Sequence, residues 1–144
     1  MSAVESYIRE LFDIHRSGEA VKETSYYGPL AHLFNEIGKT LKPRVQCVIN
    51  IKNRGAGIPD GGLFTADQLQ KTTSSEQPIT QVPARGVIEV KGTSEDVGRI
   101  ADSEQVLRYL NRYGRVLVTN YRDFVLMGKN ADANQEHTST RDRD

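Results

Sequence analysis

The 144 residues include one cysteine, no tryptophan and no surplus of charge of either sign. Cys47 has no partner within the chain, so the fold cannot rest on a disulfide, and a lone thiol fits a reducing compartment. A chain of this length buries roughly 70% of its unfolded surface, enough for a core without staples, and it has the size of one domain. With 19 basic and 19 acidic side chains, it lacks the basic excess of a histone-like or purely electrostatic nucleic-acid binder. An enzyme acting locally on nucleic acid is not excluded by that balance. No apolar run approaches the ~20 residues of a membrane span. Met1 to Leu11 carries Glu5, Arg9 and Glu10, unlike the apolar core of a signal peptide.

What is present is a succession of patterned segments. Val4, Ile8, Leu11, Phe12 and His15 recur at helical spacing, and Gly18 is placed to end that helix. Leu30, Leu33, Phe34 and Ile37 form a second stripe closed by Gly38. Pro29 belongs in its first turn, because a proline deeper inside breaks the hydrogen-bond ladder. Residues 44–52 alternate as a strand, 54–59 read as a turn, and Asp60 to Thr65 is a short second strand. Residues 66–84 hold no period and are rich in Gln, Thr, Ser and Pro, as a functional or mobile loop would be. Gly86 to Lys91 is a third, mostly apolar strand, Val97 to Arg112 a helix stopped by Gly114, and 115–119 and 123–127 two more strands. From Lys129 the composition turns polar, and 129–144 reads as a disordered tail or the start of a linker. The order predicts an α/β fold: one mixed five-stranded sheet flanked by helices, with the two strands joined by the 91–115 crossover parallel. Residues 1–128 form the domain, with an N-terminal helical segment over 1–20 and the core over 21–128.

Three polar residues stand where the pattern resists them. Asp60 follows Pro59 at a strand start, and Glu89 and Lys91 lie in or at the end of the most apolar strand. Two residues apart, Glu89 and Lys91 share one face, with Cα atoms roughly 6.6 Å apart. Ile88 and Val90 point the other way, into the core. Burying a carboxylate and an ammonium costs several kcal/mol unless they are paired or bind a metal. If the Asp60 strand lies alongside, two carboxylates and a lysine meet at one sheet end. That trio suits metal-assisted phosphodiester hydrolysis: the carboxylates hold a hard cation such as Mg²⁺, and the lysine orients water or neutralises developing charge. His15, His32 and His137 show no ligand spacing, which argues against zinc. The competing reading is a solvated E-x-K pair at a strand edge.

The segments Glu23-Thr-Ser-Tyr-Tyr-Gly-Pro-Leu30, Gly57-Ile-Pro-Asp60, Gly86-Val-Ile-Glu-Val-Lys91, Gln105-Val-Leu-Arg-Tyr109 and Thr119-Asn-Tyr-Arg-Asp-Phe124 together resemble the PD-(D/E)xK nuclease superfamily, in its RecB-like branch with a Q-x-x-x-Y helix. They are most similar to the N-terminal nuclease domain of restriction-modification enzymes fused to an N6-adenine methyltransferase, of the type ISP and type IIG kinds. The resemblance covers about residues 20–128 and implies a restriction-endonuclease-like core. It implies a Mg²⁺-dependent DNA endonuclease, with Mn²⁺ as a substitute, in a bacterial or archaeal cytoplasm. Double-stranded DNA would be the partner, with methyltransferase and target-recognition domains or subunits and no membrane.

By the same resemblance, Asp60, Glu89 and the Val90 carbonyl are the metal ligands and Lys91 the catalytic lysine. Gln105 places the metal water or the scissile phosphate, Tyr109 supports it, and Glu23 is the helix acid that completes the site. Tyr27 stands where the family pattern would place a basic residue. Read from the residues alone, Glu23 also suits a helix start, and Gln105 and Tyr109 an ordinary i, i+4 surface pair. Lys52, Arg54 and Arg85 are candidate DNA contacts or solvated strand-end charges. Two other functions compete: a non-catalytic nuclease-fold module for nucleic-acid binding or docking, and a metal-dependent enzyme acting on RNA or a nucleotide. No N-P-P-Y-like or Gly-rich cofactor motif of a methyltransferase is seen.

Overall fold

Val87, Ile88 and Val90 are apolar on both sides of one strand, which requires a layer of helices on each face of the sheet. The computed structural model describes residues 2–17, 23–49, 59–70, 82–129 and 140–143. The helices are α1 (Ala3–Arg16), α2 (Tyr27–Gly38), α3 (Ala66–Gln70), α4 (Val97–Ala101) and α5 (Glu104–Tyr113). The strands are β1 (Val45–Ile49), β2 (Gly61–Thr65), β3 (Gly86–Val90), β4 (Arg115–Thr119), β5 (Asp123–Gly128) and β6 (Thr140–Arg143). A 3₁₀ turn, Glu23–Tyr26, leads into α2, which leaves Pro29 in the first helical turn as expected.

The strands lie in chain order across one sheet. All neighbours are antiparallel except β3 and β4, whose helical crossover makes them parallel, as the sequence pattern requires. The five expected strands are present and β6 adds a sixth at the β5 edge. Of the segment read as a tail or linker, only Lys129 and the β6 backbone fall within the described residues.

Two cores sandwich the sheet. On one face Val87, Val116, Val118, Val125 and Met127 pack under α4 and α5, which contribute Val97, Ile100, Val106, Tyr109 and Leu110. On the other, Ile88, Val90 and Cys47 pack under Tyr7 of α1 and Leu30 and Leu33 of α2. Each fully buried aliphatic side chain contributes roughly 1.5–3 kcal/mol, so β3, buried along its whole length, anchors the domain. This is the α/β arrangement that the strand and helix order implies, and it is consistent with the restriction-endonuclease-like core expected from the resemblance.

Four local expectations need correction. The helix read as Val97 to Arg112 is two: it breaks at Asp102-Ser103, where the Ser103 hydroxyl accepts the Val106 N–H at 3.2 Å and caps α5. The 66–84 stretch is not structureless at its start, since α3 occupies Ala66–Gln70; residues 71–81 lie outside the described residues. Of the apolar stripe of α1 only Leu11 packs against the core: Val4, Ile8, Phe12 and His15 are exposed, and Tyr7 is buried instead. Tyr7 wins because its hydroxyl donates to the Tyr121 carbonyl at 2.8 Å and its ring packs edge-on against Phe124. Asp60 does not open β2 but occupies the bend before it. The 54–59 turn, except Pro59, and Gly18 lie outside the described residues.

Two features hold the sheet ends. Asn35 of α2 clasps the backbone of Cys47 on edge strand β1, accepting its N–H at 2.8 Å and donating to its carbonyl at 3.2 Å; a covered edge cannot template further strands. Gly86 has φ +117°, and a Cβ there would meet the Arg115 carbonyl at 2.8 Å, so the start of β3 admits only glycine.

Candidate active site

The antiparallel β2–β3 pairing ends at Gly61 opposite Ile88. Asp60 therefore sits just past the ladder, where β3 still has backbone groups to satisfy. Its Oδ2 accepts the Val90 N–H at 2.8 Å. The N–H and C=O of one strand residue point the same way, so the Val90 carbonyl faces the side on which Asp60 stands. The buried Pro59 precedes it.

Glu89 projects from β3 toward the α4–α5 layer and is only 4% exposed. The Lys91 Nζ lies 3.4 Å from its Oε1, while its Oε2 is buried with no hydrogen-bond partner among the described residues. Burial first, then the neighbouring Asp60 charge, push the Glu89 carboxyl up to about 7, against the pull of the Lys91 ammonium. Two carboxyl groups are thus pressed together at the end of β3, close enough to share a proton, and with both ionised the Glu89 Oε2 has no donor to bind among the described residues.

Helix α5 brings the Q-x-x-x-Y pair to the same place. The crossover lays α5 over β3 and β4, and Gln105 in its first turn donates to the Tyr109 hydroxyl at 2.9 Å. Tyr109 is buried. Its phenol is held above the ordinary range by burial first and the Glu89 charge next, with the Gln105 hydrogen bond opposing and Asp60 contributing. The phenol therefore lies within electrostatic reach of both carboxylates, and Gln105 and Tyr109 are not a solvated helix-surface pair.

The next turn locks the strand beside Lys91. The Lys91 N–H donates to the Thr119 carbonyl at 2.9 Å. The Thr119 hydroxyl donates to the Asp123 carbonyl at 3.0 Å and accepts the Tyr121 N–H at 2.9 Å. Asn120, also buried, accepts the Asp123 and Arg122 N–H groups at 2.7 and 3.0 Å and donates to the Glu95 carbonyl at 2.6 Å. Tyr121 takes φ 75°, a left-handed conformation that costs a bulky residue on the order of 1–3 kcal/mol and that these bonds hold in place. Thr119 and Asn120 received no role in the sequence reading. The available signal was two polar residues ending an apolar strand.

Asp60, Glu89, the Val90 backbone, Lys91, Gln105 and Tyr109 are thus brought together. Arg85 is not: it precedes β3, at the far end of that strand from Glu89. Lys52 and Arg54 lie outside the described residues. The Glu23 backbone is in the 3₁₀ turn that packs on α1 and α2, across the sheet from the Glu89 side chain; its own side chain lies outside the described residues. No three His, Cys, Asp or Glu side chains among the described residues gather as a metal cluster. Two carboxylates and a carbonyl suit a hard cation that keeps several waters, such as Mg²⁺, and no soft metal. Among the described residues no helix is long and apolar enough to cross a membrane.

Comparison with solved structures finds a similar fold in one chain of a DrdV–DNA complex determined by electron cryomicroscopy. The TM-score is 0.60 at 17% sequence identity, and the match covers 98% of this chain and 12% of that one. At this identity the likeness is one of fold. The chain therefore spans about an eighth of the length of that neighbour. No family model matches the sequence, and no curated protein does.

Proposed function

We propose that this chain is a Mg²⁺-dependent DNA endonuclease domain, the cleavage module of a larger restriction-modification protein or assembly that carries the methyltransferase and target-recognition parts. The observation that carries this reading is the unpartnered Glu89 Oε2, buried beside Asp60 at the end of a strand. A buried carboxylate oxygen without a partner costs the fold several kcal/mol. A divalent cation held by Asp60, Glu89 and the Val90 carbonyl removes that cost. The fold shared with a chain from a DNA complex supports DNA as the substrate.

In this reading the cation supplies an acidified water and charge stabilisation at the phosphate. The Lys91 ammonium, tethered to Glu89 at 3.4 Å, stands beside the reacting phosphate and offsets negative charge as it develops there. Gln105 offers an amide to the water or a phosphate oxygen, and the buried Tyr109 hydroxyl fixes its rotamer. Supercoiled plasmid incubated with Mg²⁺ is nicked or linearised by the wild type, and Lys91→Ala lowers the rate at least a hundredfold. Equal cutting by the two proteins refutes the assignment. An intact plasmid together with no Mn²⁺ binding by calorimetry selects the non-catalytic module instead. RNA and mononucleotide substrates in parallel tubes fix the substrate class.

A further inference from the structure

The zero net charge conceals a division by position. Among the described residues at the end of the sheet where β3 and β4 finish, Glu95, Asp96, Asp123 and Asp142 join Asp60 and Glu89, and Lys91, Arg99, Arg122 and Arg143 are the cations, with Arg143 placed opposite Asp123. At the opposite end the signs reverse. Arg44 precedes β1, Arg85 precedes β3, Arg115 opens β4, Arg112 closes α5 and Lys129 follows β5. The registers Val45 opposite Thr65, Leu63 opposite Gly86 and Arg115 opposite Gly128 put these positions along one edge. The Lys129 N–H donates to the Gly114 carbonyl at 3.0 Å, and the Arg115 backbone abuts Gly86, which closes the row. Lys42, two residues before Arg44, extends it.

Lys42, Arg44, Arg112, Arg115 and Lys129 are exposed and Arg85 is half-buried. None of the six forms an ion pair among the described residues. Arg112 is steadied by the Tyr113 ring, 5.3 Å from its guanidinium. Asp67 follows β2 at this end, and Glu36 near the end of α2 is engaged by Lys39 at 2.7 Å. The C-terminus of α5 favours Arg112 on dipole grounds alone, but that account does not reach Arg44, Arg85, Arg115 or Lys129, which sit on strand ends. Five strands at 4.7–4.9 Å spacing spread the row over roughly 20 Å, a length along which one strand of a duplex presents about six phosphates.

We propose that this basic edge is a second DNA-binding surface that grips the phosphate backbone of a duplex, roughly 15 Å along the strands from the carboxylate end. It is separate from the site of cleavage. The acidic end attracts cations and repels phosphates until a metal is bound. The basic edge supplies the electrostatic hold which that end lacks.

The test uses the full chain, a fluorescent 30-base-pair duplex and EDTA, so that binding is read without cleavage. Arg112→Glu with Arg115→Glu, and separately Lys42→Glu with Arg44→Glu, each weaken binding at least tenfold at low salt. Each also reduces the slope of log affinity against log salt by about 2, since each lost phosphate contact removes about 0.9. Arg9→Glu with Arg16→Glu on α1 changes net charge equally and alters affinity less than twofold. Arg112→Gln with Arg115→Gln, milder for the fold, gives an intermediate loss. Equal losses in the edge and α1 variants, an edge variant that binds like wild type, or a wild type that prefers a poly-glutamate peptide to DNA each overturn the proposal. The proposal goes beyond the nuclease reading and can fail apart from it: Lys91→Ala that abolishes cutting while duplex binding in EDTA persists supports both. Cutting by the wild type with no effect of the edge variants removes only the second surface.

Discussion

Glu89 is an acid in a place built to discourage its charge, and its titration is readable as stability. Its folded carboxyl titrates near 7, above the ordinary value near 4.5, so the folded state binds the proton more tightly than the unfolded chain. That contribution is fully present below about pH 4.5 and is lost as pH rises through about 7. In EDTA, urea unfolding of the wild type therefore loses on the order of 1–3 kcal/mol from this group between pH 5 and 8. Glu89→Gln flattens the loss and is at least as stable as wild type at pH 8. A variant that keeps the wild-type pH slope would show that another group carries it. The residue was legible in sequence because a carboxylate in an apolar strand is anomalous. Its missing partner was not, since an unsatisfied oxygen exists only once the neighbours are placed.

At the scale of elements, periodicity located the segments and misjudged how they end and turn. Leu30, Leu33 and Gly38 behave as the pattern of α2 requires. In α1 the same reasoning chose Val4, Ile8, Leu11, Phe12 and His15, and the structure keeps only Leu11 of these against the core and buries Tyr7, because a tyrosine whose hydroxyl reaches Tyr121 outweighs the apolar residues left at the surface. The unbroken pattern from Val97 to Leu110 hid the Asp102-Ser103 break, since both halves face the same core. The cap is testable. Ser103→Ala removes the acceptor for Val106 and costs about 1 kcal/mol of stability by urea unfolding. Ser103→Asp restores it to near wild type. Because α5 presents Gln105 and Tyr109, the alanine variant also lowers plasmid cutting. Unaltered stability would mean that the α5 terminus is held by packing alone.

At the scale of the whole molecule, the proposed site is one property of the sheet: β2 and β3 supply the carboxylates, the crossover supplies α5, and the β4–β5 turn fixes the backbone next to Lys91. Ligand linkage gives a global readout. Mn²⁺ at about a hundred times its dissociation constant stabilises the fold by roughly 2.7 kcal/mol, or roughly 5–10 °C in Tm. Asp60→Asn abolishes that rise, and a Tm insensitive to Mn²⁺ in the wild type refutes the cation site. The sequence alone determined the fold class, the parallel crossover and the anomaly of Asp60, Glu89 and Lys91, because strand alternation, helical spacing and an acid in an apolar strand are local signals, whereas Val90, Gln105 and Tyr109 entered only through the resemblance to a known family. Tertiary structure decided which face of α1 is buried, where α4 gives way to α5, that Arg85 stands apart from the carboxylates, and that among the described residues one end of the sheet gathers a row of basic side chains. Those outcomes depend on register and on the direction of each strand, which bring together residues that no local pattern can associate.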